Sequence, residues 1–208
     1  DQFDVAGSLD VGVELFDGYT NSNATAELEL SKRGKGARPV VRKNSTATES
    51  NKSRNFTHPV IFLSLKRLLP IAERDYAVSN FAYLNKNKQR FINLTNELLN
   101  KTSSAATSTA GSIHSAVAHA DNYDQDSVSA GEDNAGQIML ALMSFRKLKE
   151  ENSANYKGGL LLIDEADAGL FPAAQKKLVE ILNRECQDLD LQVVMTSHSP
   201  TLIEYTFE

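Results

Sequence analysis

Residues 159–172 read Gly159-Leu160-Leu161-Leu162-Ile163-Asp164-Glu165-Ala166-Asp167-Ala168-Gly169-Leu170-Phe171-Pro172, and this stretch decides the fold. Four consecutive apolar residues after the Gly158-Gly159 break predict a short strand covered on both faces. Pro172 suits the first turn of a helix, where its missing N–H costs nothing, and Ala174, Leu178, Ile181 and Leu182 make one apolar stripe beyond it. Leu191 to Thr196 then predicts a second buried strand. Strand, helix and strand within about 37 residues form a βαβ unit, which implies parallel pairing and a right-handed crossover. Ligands of such sheets bind beyond the carboxyl ends of the strands. Both strands end there in polar residues, Asp164-Glu165 after the first and Thr196-Ser197-His198-Ser199-Pro200 after the second.

Upstream, Ile138 to Met143 is apolar all round and continues to Phe145 and Leu148, with Arg146, Lys147 and Lys149 gathered behind it. That pattern predicts a buried helix whose cations sit at the end the macrodipole favours. Near the start, Leu9, Val11, Val13 and Leu15 alternate with polar residues or glycine, and so do Ala26, Leu28 and Leu30. With turn formers at 17–23 between them, an antiparallel hairpin is expected. Residues 31–57 read as a long flexible excursion with a short strand at Pro39-Val40-Val41, and Pro59 to Leu63 as a further strand. Helical spacing covers 64–79 and 86–101, whereas the small, hydroxylated stretch 102–120 reads as a linker or irregular loop. The predicted class is α/β: a parallel sheet of the P-loop NTPase kind, an antiparallel β region and a helical layer.

Composition excludes several classes. The 208 residues are 41% hydrophobic and 24% charged, which suits a globular chain and not a disordered or collagenous one. Cys186 is the only cysteine, so an internal disulfide and a multi-cysteine zinc cage are unavailable. His114 and His119, five apart, would diverge by roughly 140° on a helix and do not make a metal pair. A net charge of −5 offers no general attraction for nucleic acid. The distribution is uneven: residues 1–30 hold seven acids and no base, while Lys32, Arg33, Lys35, Arg38, Arg42, Lys43, Lys52 and Arg54 face only Glu49. That basic stretch reads as a solvated loop or a DNA-contacting patch. No run is long and apolar enough for a membrane span, and the first residues lack a secretory pattern. A cytoplasmic protein without a membrane partner is predicted, and the six Asn-x-Ser/Thr triplets then carry no glycan meaning.

The two strand ends carry the chemistry. An apolar strand closing on Asp164-Glu165 resembles a Walker B motif, in which the first carboxylate holds magnesium and the second orients and deprotonates the water attacking a γ-phosphate. Ala166-Asp167-Ala168-Gly169-Leu170-Phe171-Pro172 follows at once, and His198 lies 34 residues beyond Asp164. Together these resemble the Walker B, D-loop and switch-histidine series of the ABC-type ATPases, most closely the branch containing SMC, RecF and OLD-like proteins. Val128-Ser129-Ala130-Gly131-Glu132 resembles that family's signature sequence, and a helix N-terminus there is a ready anion site. The resemblance implies ATP and Mg2+ as ligands, with Asp164 on the metal, Glu165 as general base and His198 as γ-phosphate sensor. It places Asp167, Ser129 and Gly131 at the nucleotide, the last two on ATP held by the opposite copy of a head-to-tail dimer. It further implies DNA-related or anti-phage work, as in Septu-type systems, with a nuclease partner.

Two departures qualify it. Val128 and Ala130 replace the family's Leu and Gly, and acidic Glu132 and Asp133 oppose an anion. No G-x-x-x-x-G-K-[ST] occurs in the 208 residues, and the Gly34-Lys35 pair has no strand before it. The expectation is a piece of a longer protein whose phosphate loop precedes Asp1, so that this chain alone hydrolyses ATP negligibly. Three regions follow: an antiparallel β region at 1–63, a helical insertion and flexible loop at 64–128, and the half bearing signature helix, Walker B, D-loop and switch histidine at 129–208. Two other readings remain: a DEAD-type helicase, which predicts a Ser-Ala-Thr strand end where Thr196-Ser197-His198 stands, and a non-catalytic binding or scaffold module.

Overall fold

The computed structural model describes residues 11–33, 36–42, 44–48, 56–69 and 71–206. The chain divides into two compact units, Asp1–His58 and Pro59–Glu208.

The first unit is an antiparallel meander of β1 (Val11–Asp17), β2 (Ser22–Arg33) and β3 (Gly36–Arg42). Val11 pairs with Leu28 and Asp17 with Ser22 in an antiparallel hairpin. The turn closes through Asn21 in the left-handed region (φ 52°), which asparagine tolerates. Buried Asp17 accepts hydrogen bonds from Thr20 and from Thr57 N at 2.7 Å, pinning the following segment. The expected excursion at 31–57 is instead partly strand, because β2 runs on to Arg33 and pairs with β3, Leu30 opposite Pro39. Alternation of apolar and polar residues is lost there, which is why the sequence pattern does not announce this pairing. Lys35, Lys43, Lys52 and Arg54 of the basic stretch, and the Gly34-Lys35 pair, lie outside the described residues, as do the side chains of Lys32, Arg33, Arg38 and Arg42.

In the second unit, β4 (Val60–Leu63), β8 (Gly159–Ile163) and β9 (Leu191–Met195) form a parallel sheet in the order β4-β8-β9. Leu161 stands between Ile61 and Val193, and α4 (Pro172–Leu189) makes the predicted crossover from β8 to β9. Coverage is one-sided, contrary to expectation. Leu161 and Ile163 are buried, whereas on the opposite face Leu160 and Leu162 are half-buried and Phe62 and Val194 are 61% and 52% exposed. β9, expected to be buried, alternates half-buried and exposed residues because it is the edge of this sheet.

A second sheet, β5-β6-β7, corrects two expectations. β5 (Tyr76–Ser79) and two 3-10 turns, Leu65–Leu68 and Ile71–Glu73, occupy the stretch expected to be helix. Pro70 bars a continuous helix, and Leu69 takes the extended conformation (φ −62°, ψ 122°) imposed on a residue preceding proline. β6 (Ala105–Gly111) and β7 (Ser115–His119) form an antiparallel hairpin in the stretch expected to be a linker, with Ser115 to Ala118 buried. Small residues suit β7 because α3 (Ala130–Glu151) lies against it: a Cβ on Gly136 would stand 1.9 Å from the Ala116 carbonyl oxygen. His119 ends that strand with Nε2 2.9 Å from the Thr107 hydroxyl, and no metal-holding cluster occurs among the described residues.

Helix α3 is the centre of the core, buried almost continuously from Asp133 to Met143 and again at Phe145. Beside it pack α4 and α2 (Lys88–Leu99), which follows the short α1 (Ala82–Lys86). Fully buried Phe91 and Phe145 each contribute roughly 1.5–3 kcal/mol. Glu185 of α4 joins the three helices, accepting from Arg90 at 2.9 Å and Arg146 at 2.7 Å. Burial alone would raise the pKa of this carboxyl; the two guanidiniums bring it below its ordinary value. No helix among the described residues is long and apolar enough to cross a membrane. α5 (Pro200–Thr206) follows β9.

Candidate functional site

Parallel pairing sets the site. Because β8 and β9 run the same way in register, Asp164 and Thr196 emerge side by side, and the ladder continues one step through Thr196 N to Ile163 O at 3.0 Å. The Thr196 hydroxyl then donates to Asp164 Oδ1 at 2.8 Å and accepts from Glu165 N at 2.7 Å. Glu165 is in the left-handed region (φ 49°), a strained setting for a residue with a side chain, which surrounding bonds must hold. Its carboxylate Oε1 lies 4.0 Å from His198 Nε2, and the two side chains are 37% and 87% exposed, open to a ligand.

Asp167 ties the second strand end to the first. Its Oδ1 accepts from the Ser197 hydroxyl at 2.5 Å and from His198 N at 3.2 Å. Burial would raise its pKa, but these bonds, and charge on His198, hold it below the ordinary aspartate value. These bonds tie the loop carrying His198 to the turn after β8. Ser197 in turn accepts from Ser199 N, whose hydroxyl accepts from Leu202 N and so caps α5.

Ser129 is the N-cap of α3 in a capping box: its hydroxyl oxygen accepts from Glu132 N, and the Glu132 carboxylate accepts from Ser129 N at 2.8 Å. The acids expected to oppose an anion are both paired. Glu132 meets Lys101, and fully buried Asp133 meets Arg74, Ser115 and Gln137. Gly131 faces the Asp167–Gly169 turn so closely that a Cβ would stand 2.2 Å from Gly169 O. Gly169 itself has φ +74°, where a side chain is strained. Asn134, one turn on, donates to Ala168 O at 2.7 Å.

The carboxylates, imidazole and helix end singled out by sequence thus belong to one connected arrangement at the carboxyl edge of the parallel sheet. Asp164 supplies a carboxylate suited to Mg2+, which commonly takes one or two protein carboxylates and completes its shell with phosphate and water. Sequence reasoning missed Arg67, buried with 2% exposure in the 3-10 turn after β4, and Asn134. Arg67 donates to Glu165 O and Asn134 Oδ1, both at 2.7 Å. A lone arginine in the run Leu63 to Leu69 was the available signal.

Residues 15–204 match the protein family described as "AAA domain, putative AbiEii toxin, Type IV TA system". A search of curated proteins finds no match. Among solved structures the chain is similar to an SMC head domain from Thermotoga maritima, with a TM-score of 0.46 and 15% identity over 96% of this chain and 68% of that one. With the family match spanning well over half of the chain, the chain belongs to this AAA-domain family, an ATPase-type nucleotide-binding domain.

Proposed function

We propose that the chain is the hydrolytic part of an ABC-like ATPase head that closes with a second copy, head to tail, around two ATP molecules. The observation carrying this reading is the fusion of two strand ends at one edge: Asp164 to Thr196, Asp167 to Ser197 and His198, and Glu165 Oε1 4.0 Å from His198 Nε2. Asp164 would hold Mg2+, which when bound would neutralise phosphate charge. Glu165 takes a proton from the attacking water, and His198, exposed above it, donates a hydrogen bond to the γ-phosphate. Ser129 and the N–H groups around Gly131 receive the γ-phosphate of the partner's ATP, which there takes the place of the Glu132 carboxylate on Ser129. Asp167 contributes by fixing the His198 loop. Since no Walker A sequence occurs in the 208 residues, the phosphate cradle in this reading comes from another segment. The setting proposed is cytoplasmic DNA-related or anti-phage work with a nuclease partner.

Glu165→Gln in the full-length protein tests it. ATP turnover is expected to fall by about a hundred- to ten-thousandfold, the usual contribution of a general base, while ATP-dependent dimerisation persists. Equal turnover in variant and wild type removes Glu165 from the role.

A further inference from the structure

Arg67 is buried without using a carboxylate as its hydrogen-bond partner. Its fork donates to oxygens from separate parts of the chain: Leu63 O at 3.2 Å and Ser64 O at 3.1 Å at the end of β4, Glu165 O at 2.7 Å, and Asn134 Oδ1 at 2.7 Å in the first turns of α3. Burial lowers its affinity for its proton, and the charges of Asp164, Glu165 and Asp167 oppose that loss. Burying a cation is costly, and an apolar residue would fill the space more cheaply. What an apolar residue cannot do is grip peptide oxygens on two elements at once.

The gripped residue is the unusual one. Glu165 sits at φ 49°, and its flanking peptide groups are both held, N–H by the Thr196 hydroxyl and C=O by Arg67. Two fixed peptide planes fix the Cα–Cβ direction, and with it the reach of the carboxylate. On its other side Arg67 bonds Asn134, which reaches past it to Ala168 O at 2.7 Å.

We propose that Arg67 is a positioning residue that sets Glu165 for proton abstraction and, through Asn134, couples that setting to the end of α3 bearing Ser129. This rests on the reading of Glu165 as general base. In a head-to-tail dimer, Glu165 and Ser129 of one chain serve two different ATP molecules, so the Arg67–Asn134 strut is a link between the two sites within each chain. Coupling of this kind is demonstrated by a double-mutant cycle, not by proximity.

The test uses Arg67→Lys, Asn134→Ala and the double variant in the full-length protein, with kcat and KM for ATP and amide hydrogen exchange over 165–169. Expected is a roughly ten- to a hundredfold fall in kcat for each single variant, the effect of slight misplacement of a catalytic group. KM stays within about twofold, the double variant is no slower than the slower single, and exchange at 165–169 quickens. Multiplicative losses, a loss confined to KM, or unchanged kcat overturns the proposal. If Arg67→Lys does not fold, Asn134→Ala alone decides by the same kcat and exchange criteria. If wild-type protein shows neither turnover nor ATP-dependent dimerisation, the ATPase reading falls while exchange still judges the strut. Unchanged exchange at 165–169 in Asn134→Ala then refutes it, and faster exchange retains it.

Discussion

Replacing Gly131 by alanine tests whether the α3 N-terminus lies against the loop after β8. An alanine Cβ would stand 2.2 Å from Gly169 O and 3.3 Å from Gly169 C, so the two backbones must separate by about 1 Å to reach the closest contacts proteins tolerate. The Asn134 Nδ2 to Ala168 O bond, 2.7 Å now, would stretch out of hydrogen-bonding range. Overpacking costs about 1–3 kcal/mol and the lost bond about 0.5–1.5 kcal/mol. Against these stands a helix-propensity gain of at most about 1 kcal/mol, smaller in a first turn. The net expectation is a loss of roughly 0.5–4.5 kcal/mol. Urea unfolding reads it as a lower midpoint with an unchanged slope, and heating as a fall of about 2–4 °C per kcal/mol for a chain of this size. A Gly131→Ala protein as stable as wild type, or more stable, would show that the helix end does not meet this turn.

Gly136→Ala carries the same logic into the core. Mid-helix alanine should help by about 1 kcal/mol, yet its Cβ would stand 1.9 Å from Ala116 O, so lower thermal stability is expected and a gain would contradict the α3–β7 packing. Asp167 is held below its ordinary pKa, so its contribution to stability is complete above about pH 4 and is lost as pH falls through its lowered native value. Ser197→Ala removes one of the bonds responsible, and carboxyl NMR should show Asp167 titrating at higher pH; an identical titration would refute the bond. Burial first, and then neighbouring Glu185, push the Cys186 thiol up to about 11. Native protein at neutral pH should therefore react with a disulfide reagent roughly a hundredfold more slowly than urea-unfolded protein, and equal rates would count against burial.

The second half of the site was legible because its determinants are contiguous. An apolar run ending in Asp164-Glu165, a proline-opened amphipathic helix and an apolar run ending in Thr196-Ser197-His198 specify strand, crossover and strand from local pattern alone. Parallel pairing then brings both polar ends to one edge. The β1–β2 hairpin was readable for the same reason, through alternation and turn residues. Local pattern fails at β6 and β7, where Ala, Ser and Thr give no contrast between a buried and an exposed face. Their burial is decided by α3, whose Gly136 admits the β7 backbone.

Covered faces and long-range contacts could not be read locally either. Leu160 and Leu162 look as interior as Leu161, but strand order and the placement of helices leave their face partly open. Arg67 and Asn134 are separated from each other by 67 residues, and Arg67 from Glu165 by 98, so no spacing rule joins them. The sequence by itself determined which residues end the two parallel strands, since periodicity and breakers act between near neighbours. Only the tertiary structure decided that a buried guanidinium holds Glu165 and that the α3 end lies against its loop, since those depend on packing distant segments together.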